Sequence, residues 1–408
     1  MNNRTQGMRR GLAAVAVAVT IAVGLGGCVL DAERREGGEL VDEMTDAEFY
    51  ALPDDLPAGS PGELIRSKTI DSAPAGTRAW RVIYHSTDMA GADIPVAGLV
   101  IVPDLPAAKE GRTVVSWAHP TTGSAQKCGP SLAVDPFELI EGMANLLAQG
   151  YAVVATDYQG MTIAGPSSYL LGVTEGNNVL DAVRAGRNLP EVSLSSHVLL
   201  WGHSQGGQAA LFAAQQARAY APELDVRAVA VAAPAASLTA LLSDDIIDVS
   251  GVTIASLAIP AMIAAYRDTY DEAELWSILT PAGQAAAPKV QELCLLTDTA
   301  KIHEITGPLV GGFVTSDPST TEPWKTILTE NSAGGSPLGV PVYIAQGLDD
   351  ELVIPTATAD YVKTLCAAGE KVQFDEFTGV THATVALTAI PSVLSFFSAA
   401  EKPSDCVG

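Results

Sequence analysis

The run Gly202-His203-Ser204-Gln205-Gly206-Gly207 constrains this chain more than any other stretch. It follows the apolar run Val198–Trp201 and precedes Gln205–Tyr220, a segment rich in Ala and Gln that reads as a helix. A serine between glycines, with a buried strand before it and a helix after it, marks a sharp strained turn on which flanking side chains would clash. Such a turn lifts the hydroxyl out of a sheet edge and aims the positive end of a helix at the reaction. Ser204 is therefore the candidate nucleophile.

The pattern around this turn is that of an α/β protein. Arg78–His85 and Val96–Val102 alternate like strands of a hairpin or sheet edge, and Thr113–Ala118 and Ala152–Thr156 are buried-strand runs. Pro136–Gln149 and Glu175–Asn188 read as helices between them, and Val226–Ala232, Val340–Ala345 and Val372–Phe377 as further strands. Strands alternating with helices give a mostly parallel central sheet flanked by helices. The order breaks between 236 and 336, where apolar helical stretches (Ile254–Tyr266 and Glu272–Leu279) occur without a clear strand. This interval is expected to be a helical cap inserted over the sheet edge. It divides the core into a first part, 63–235, and a second part, 337–408.

A serine hydroxyl needs a base to take its proton. The chain has six histidines, so the search is short. His85 and His119 precede the serine, His197 and His203 crowd it in sequence, and His303 falls inside the expected cap. His382, in Gly379-Val380-Thr381-His382, follows the last strand and opens an apolar C-terminal helix, from where it can reach back to the sheet edge. The residue that orients it should follow a strand between serine and histidine. Asp349, Asp350 and Glu351 compete for that place, and the spacing from Gly347 and Pro355 selects Asp350. The chain order Ser, Asp, His is that of the α/β-hydrolase fold. For the oxyanion, one donor is the amide of Gln205 and the other comes from His119-Pro120-Thr121-Thr122-Gly123, with Thr121 as the choice.

The first residues read as an export signal. Arg4, Arg9 and Arg10 precede the apolar run Gly11–Gly24, and Leu25-Gly26-Gly27-Cys28 resembles the lipobox at which bacterial lipoproteins are cleaved and acylated. The expectation is a signal over 1–27, a lipidated Cys28, and an acidic, turn-rich tether over 28–62 leading into the fold. No other segment reads as long and apolar enough to span a bilayer. Without Cys28, four of the five cysteines remain (Cys128, Cys294, Cys366 and Cys406), an even number suited to an oxidising compartment. They suggest two disulfides, for which sequence alone allows three connectivities. None forms a C-x-x-C pair, which argues against a zinc or redox site. The formal net charge of -24 repels phosphate backbones and makes nucleic acid a poor partner.

Taken together, the chain resembles the secretory lipase family of the α/β-hydrolases, which includes the fungal lipase A type and bacterial relatives. The resemblance runs through His119-Pro120-Thr121-Thr122-Gly123 with Cys128-Gly129-Pro130, then Asp157-Tyr158-Gln159-Gly160 and the Ser204 turn. It continues through Gln346-Gly347-Leu348-Asp349-Asp350 with Pro355, and ends at Gly379-Val380-Thr381-His382. It implies a central sheet under a helical lid, a Ser204/Asp350/His382 triad acting on acyl esters, and disulfides Cys128–Cys294 and Cys366–Cys406. Pro120 departs from what relatives often carry in the oxyanion loop.

These readings converge on a secreted lipase or carboxylesterase working through an acyl-enzyme, with no metal or nucleotide cofactor. The expected partner is a small-molecule or lipid ester, and a membrane is met only through the Cys28 anchor. Leu257, Ile259, Met262 and Ile263 are candidates for an acyl-chain pocket, although such a run is more often cap core. The same triad serves an acyltransferase or peptidase, and loss of a triad member would have favoured a non-catalytic binding protein.

Overall fold

The computed structural model describes residues 47–53, 55–399 and 406. Cys28, the export signal and most of the tether lie outside the described residues. Among the described residues, nine strands form one sheet: β1 (Leu64–Thr69), β2 (Thr77–Thr87), β3 (Asp93–Pro103), β4 (Arg112–Ala118), β5 (Ala152–Thr156), β6 (Leu194–His203), β7 (Asp225–Ala232), β8 (Val342–Gly347) and β9 (Val372–Phe377). Their order across the sheet is β1-β2-β3-β5-β4-β6-β7-β8-β9. Pairing is antiparallel from β1 to β5 and parallel from β5 to β9.

The helices are α1 (Ala47–Tyr50), α2 (Met143–Ala148), α3 (Gly172–Asn188), α4 (Gln205–Tyr220), α5 (Leu238–Asp244), α6 (Val249–Tyr266), α7 (Glu272–Trp276), α8 (Pro281–Gln291), α9 (Thr299–Thr306), α10 (Trp324–Glu330), α11 (Pro355–Ala367) and α12 (His382–Ser398). The central strands carry continuous apolar runs where both faces are covered, as in Val198–Trp201 of β6 and Ala228–Ala232 of β7. Alternation still sorts the side chains by face. Val115, Trp117, Leu199 and Trp201 join a core with α2, α6 and α12. Val114, Val198 and Leu200 join the opposite core with α3, α4 and α11.

The mostly parallel sheet between helical layers is the α/β-hydrolase arrangement. Three local expectations need correction. Pro136–Gln149 is helical only over α2; Gly142 sits in the left-handed region with φ 80° and starts the helix late. β1 lies where no strand was expected: it is an edge strand half open to solvent, so it lacks the apolar signal. And α6, with 18 residues at a mean hydropathy of 1.7, is long and apolar enough to cross a membrane by length and composition. It lies 72% buried inside the protein, where an all-round apolar helix serves as core.

Candidate active site

Ser204 stands between the last residue of β6 and the first of α4, at φ 56° and ψ −119°, in the left-handed region that a non-glycine residue occupies at a cost of about 1–3 kcal/mol. The neighbouring glycines hold it there by close approach. A Cβ on Gly202 would lie 2.1 Å from the Gly206 carbonyl oxygen, and one on Gly206 would lie 1.9 Å from that of Ala118. No side chain fits either place, so the turn packs directly against the end of β4. The Ser204 N–H donates to the Ala232 carbonyl (3.0 Å) at the end of β7, and the Ala235 N–H donates back to the Ser204 carbonyl (3.0 Å).

The structure brings Ser204, His382 and Asp350 together from three separate segments. The Ser204 hydroxyl lies 2.9 Å from His382 Nε2, and His382 Nδ1 lies 2.8 Å from Asp350 Oδ2. His382 is the first residue of α12, whose start is fixed by a capping box between Thr381 and Thr384. Asp350 follows β8 and has no exposed side chain surface, whereas Asp349 and Glu351 are exposed. Its Oδ1 accepts from the Leu352 and Val353 amides, 2.9 Å each, and its Oδ2 also accepts from Gln346 Nε2 (3.2 Å). Burial raises the Asp350 carboxyl, but the His382 hydrogen bond and charge and the two amides outweigh it. The group is held below the ordinary carboxylate value. An ionised Asp350 accepting from Nδ1 leaves Nε2 to accept the serine proton.

The other histidines have different roles. His303 is exposed on α9, and His85 pairs with Asp93 (2.9 Å). His119 is buried against the Tyr158 ring, and burial pushes it down to about 4. His203, 3% exposed, turns away from the serine hydroxyl toward Glu141 and the His382 backbone.

Thr121 and Gln205 border the same narrow cleft as Ser204. The Thr121 hydroxyl is 2.8 Å from the Tyr169 hydroxyl. Beside Thr121, the Leu295 N–H donates to the Thr122 carbonyl (2.8 Å), Gly123 bridges to Cys294, and Cys294 is disulfide-bonded to Cys128. The loop after β4 is thus tied to the segment that follows α8. A second disulfide joins Cys366 of α11 to Cys406.

Two neighbours escaped sequence reasoning. Tyr169 is one. The other is Glu175 in the first turn of α3, fully buried, whose Oε1 accepts from Gln205 Nε2 (2.7 Å) and the Leu170 N–H (3.2 Å). Its carboxyl is pushed well above its ordinary value by burial, which outweighs those two bonds. An acid inside a segment with Leu and Val on both sides is the signal that could have drawn attention to it.

The cleft is covered by Leu238, Leu241 and Leu242 of α5 and Ile254 of α6. The expected pocket residues Leu257, Ile259, Met262 and Ile263 do not line it; they are buried in the core under α6. The apolar face nearest the serine is one turn earlier and on the preceding short helix. The space in front of Ser204 is about 20 Å³, little more than one water needs.

Comparison with known proteins points to one family. The sequence model of a family described as secretory lipase matches residues 138–402. A secreted triacylglycerol lipase of Malassezia globosa is 24% identical over 372 residues, covering 85% of this chain and 77% of that protein. A protein of Mycobacterium tuberculosis named as a probable inactive lipase is also 24% identical, over 87% of this chain and 81% of its own length. Candida antarctica lipase A in its closed state superposes with a TM-score of 0.71 at 21% identity, covering 90% of this chain and 89% of that structure. With nearly two-thirds of its length matched by the family model, this chain belongs to the secretory lipase family.

Proposed function

We propose that this lipid ester hydrolase cleaves carboxylic esters through Ser204, His382 and Asp350, by way of an acyl-enzyme. The observation that carries the reading is the unbroken line from the Ser204 hydroxyl through the His382 ring to a buried, amide-held Asp350. Ser204 Oγ attacks the ester carbonyl carbon while its proton passes to His382 Nε2. Asp350 holds the ring and stabilises the imidazolium. The amide N–H groups of Gln205, at the N-terminus of α4, and of Thr121 donate to the developing oxyanion. Collapse expels the alcohol with the proton from His382 and leaves the acyl group on Ser204 Oγ. His382 then deprotonates a water that attacks the acyl carbonyl, and the acid departs as Ser204 regains its proton.

The leucines over the cleft favour an acyl chain as the group bound there. The exported, disulfide-bearing character fits the relatives named as secreted lipases. Anchoring through Cys28 is the finer part of the reading, checked by metabolic labelling with a fatty-acid analogue that should disappear in Cys28→Ala.

The function is tested with a series of nitrophenyl esters from acetate to palmitate, on wild type and Ser204→Ala. Hydrolysis that falls by about 10⁴-fold or more in the variant identifies the nucleophile, and the chain-length optimum separates lipase from short-chain esterase. Undiminished turnover in the variant would mean another serine does the work.

A further inference from the structure

The residue before the nucleophile, His203, has no part in the proton relay, yet both nitrogens of its ring meet acceptors. Nδ1 lies 3.0 Å from Glu141 Oε2, and Nε2 lies 3.0 Å from the backbone carbonyl oxygen of His382. A neutral imidazole offers one N–H and one lone pair. If Nε2 carries its single proton, a lone pair faces the Glu141 carboxylate. If Nδ1 carries it, a lone pair faces the His382 carbonyl. Both contacts are hydrogen bonds only when the His203–Glu141 pair holds one more proton, as imidazolium with carboxylate or as neutral ring with carboxylic acid.

We propose that His203 is a positioning residue for the hydrolysis, and that a proton shared with Glu141 lets its ring clamp the main chain of His382 against the nucleophile turn. This rests on the reading of His382 as general base. Several observations converge on it. The His203 and His382 rings lie 5.0 Å apart, centroid to centroid. Glu141 is itself fixed, its carbonyl accepting from the Trp201 indole N–H (3.0 Å) in β6. The next residue, Gly142, packs so closely beneath Ile390 of α12 that a Cβ there would lie 2.1 Å from Ile390 Cδ1. The loop carrying Glu141 and the helix opened by His382 are therefore one packed unit, with His203 bridging them to the serine turn.

The charged and titratable groups facing the ring are Glu141 from the loop before α2, Asp350 from the loop after β8, and His382 from α12. Burial alone would lower His203, but Glu141, Asp350 and the His382 carbonyl outweigh it and raise it above the ordinary histidine value. The clamp therefore holds while that extra proton is bound and fails as pH rises through the raised value. When the extra proton leaves, the Glu141 carboxylate claims the remaining N–H at Nδ1, and the bond to His382 is lost.

A glutamine at 141 changes this logic. Its amide N–H can donate to Nδ1 of a neutral ring, so that Nε2–H stays on the His382 carbonyl at any pH. The experiment measures the rate at which a fluorophosphonate labels Ser204 as a function of pH in the full chain, with the labelled peptide identified by mass spectrometry. In wild type the rate should fall on the alkaline side, and in Glu141→Gln that fall should disappear. In His203→Phe the rate should drop by about 10- to 100-fold at neutral pH, the loss expected for a catalytic group displaced by a fraction of an ångström to an ångström. If His203→Phe does not fold, the Glu141→Gln profile decides alone. An alkaline fall that persists unchanged in Glu141→Gln overturns the clamp while leaving Ser204 as nucleophile. Absence of label on wild-type Ser204 overturns the serine-hydrolase reading, and the clamp with it.

Discussion

The two flanks of Ser204 differ in how completely their polar atoms are matched. On the histidine side, both oxygens of Asp350 are occupied, by two amides, a glutamine and His382, and both nitrogens of His382 have partners. On the Gln205 side, buried Glu175 Oε2, Gln205 Oε1, Ser124 Oγ and His119 Nε2 have no partner among the described residues. The contrast follows from what each flank does in the proposed reaction. Proton transfer needs a ring fixed at rest, so the acid–base flank is bonded throughout. In that reading the other flank supplies main-chain donors for charge that appears only in the transition state, and its loop is tied down by the Cys128–Cys294 disulfide.

The largest expected effect strikes the bonded flank. Asp350→Asn keeps the shape of the side chain but puts a donor where Nδ1–H needs an acceptor, and should lower kcat by about 10³- to 10⁴-fold. A steady-state assay with an unchanged melting temperature would assign the loss to chemistry; an effect below tenfold would mean that Asp350 is not the partner His382 relies on.

A smaller effect is expected on the other flank from Cys128→Ser combined with Cys294→Ser. Opening this crosslink, which spans 166 residues, should cost about 2–5 kcal/mol of stability, read by denaturant unfolding. Because the loop it secures carries Thr121, kcat should fall as well while Ser204 labelling persists. Unaltered kcat would show that the loop is held by the Leu295–Thr122 and Gly123–Cys294 contacts alone.

The smallest effect concerns Glu175. Its raised carboxyl binds a proton more tightly in the folded chain than in the unfolded one, so it contributes stability at acid pH that is lost as pH rises through its folded value. Asp350, held below its ordinary value, acts in the opposite sense, losing its contribution as pH falls. Glu175→Gln removes a group that must either stay protonated or be buried charged. Its melting temperature should gain on wild type as pH is raised from 5 to 9. A constant difference between the two proteins across that range would mean that Glu175 is not protonated in the fold.

How much of this was legible beforehand follows physical lines. The Ser204 turn could be read because its requirements are local: a strand, a helix, and glycines whose absent side chains leave room for neighbouring carbonyls. The central strands were legible because burial on both faces demands unbroken apolar runs. His382 and Asp350 followed from chain order and from the loops that strands deliver to one edge. What stayed hidden has no local signature. The edge strand β1 is half solvated, α2 begins late at a left-handed glycine, and the cover of the cleft falls to α5 rather than to the most apolar stretch of α6.

The sequence by itself determined the sharp turn at Ser204, the mostly parallel sheet and the family, because each depends on residue types at short or ordered spacings. Only the tertiary structure decided that Asp350 and not its acidic neighbours is buried against the ring, that Glu175 sits beside Gln205, and that His203 bridges Glu141 to the main chain of His382. Those relations join residues from 30 to 179 positions apart. A charge's environment is set by what packs around it in space, and a linear pattern carries no record of that.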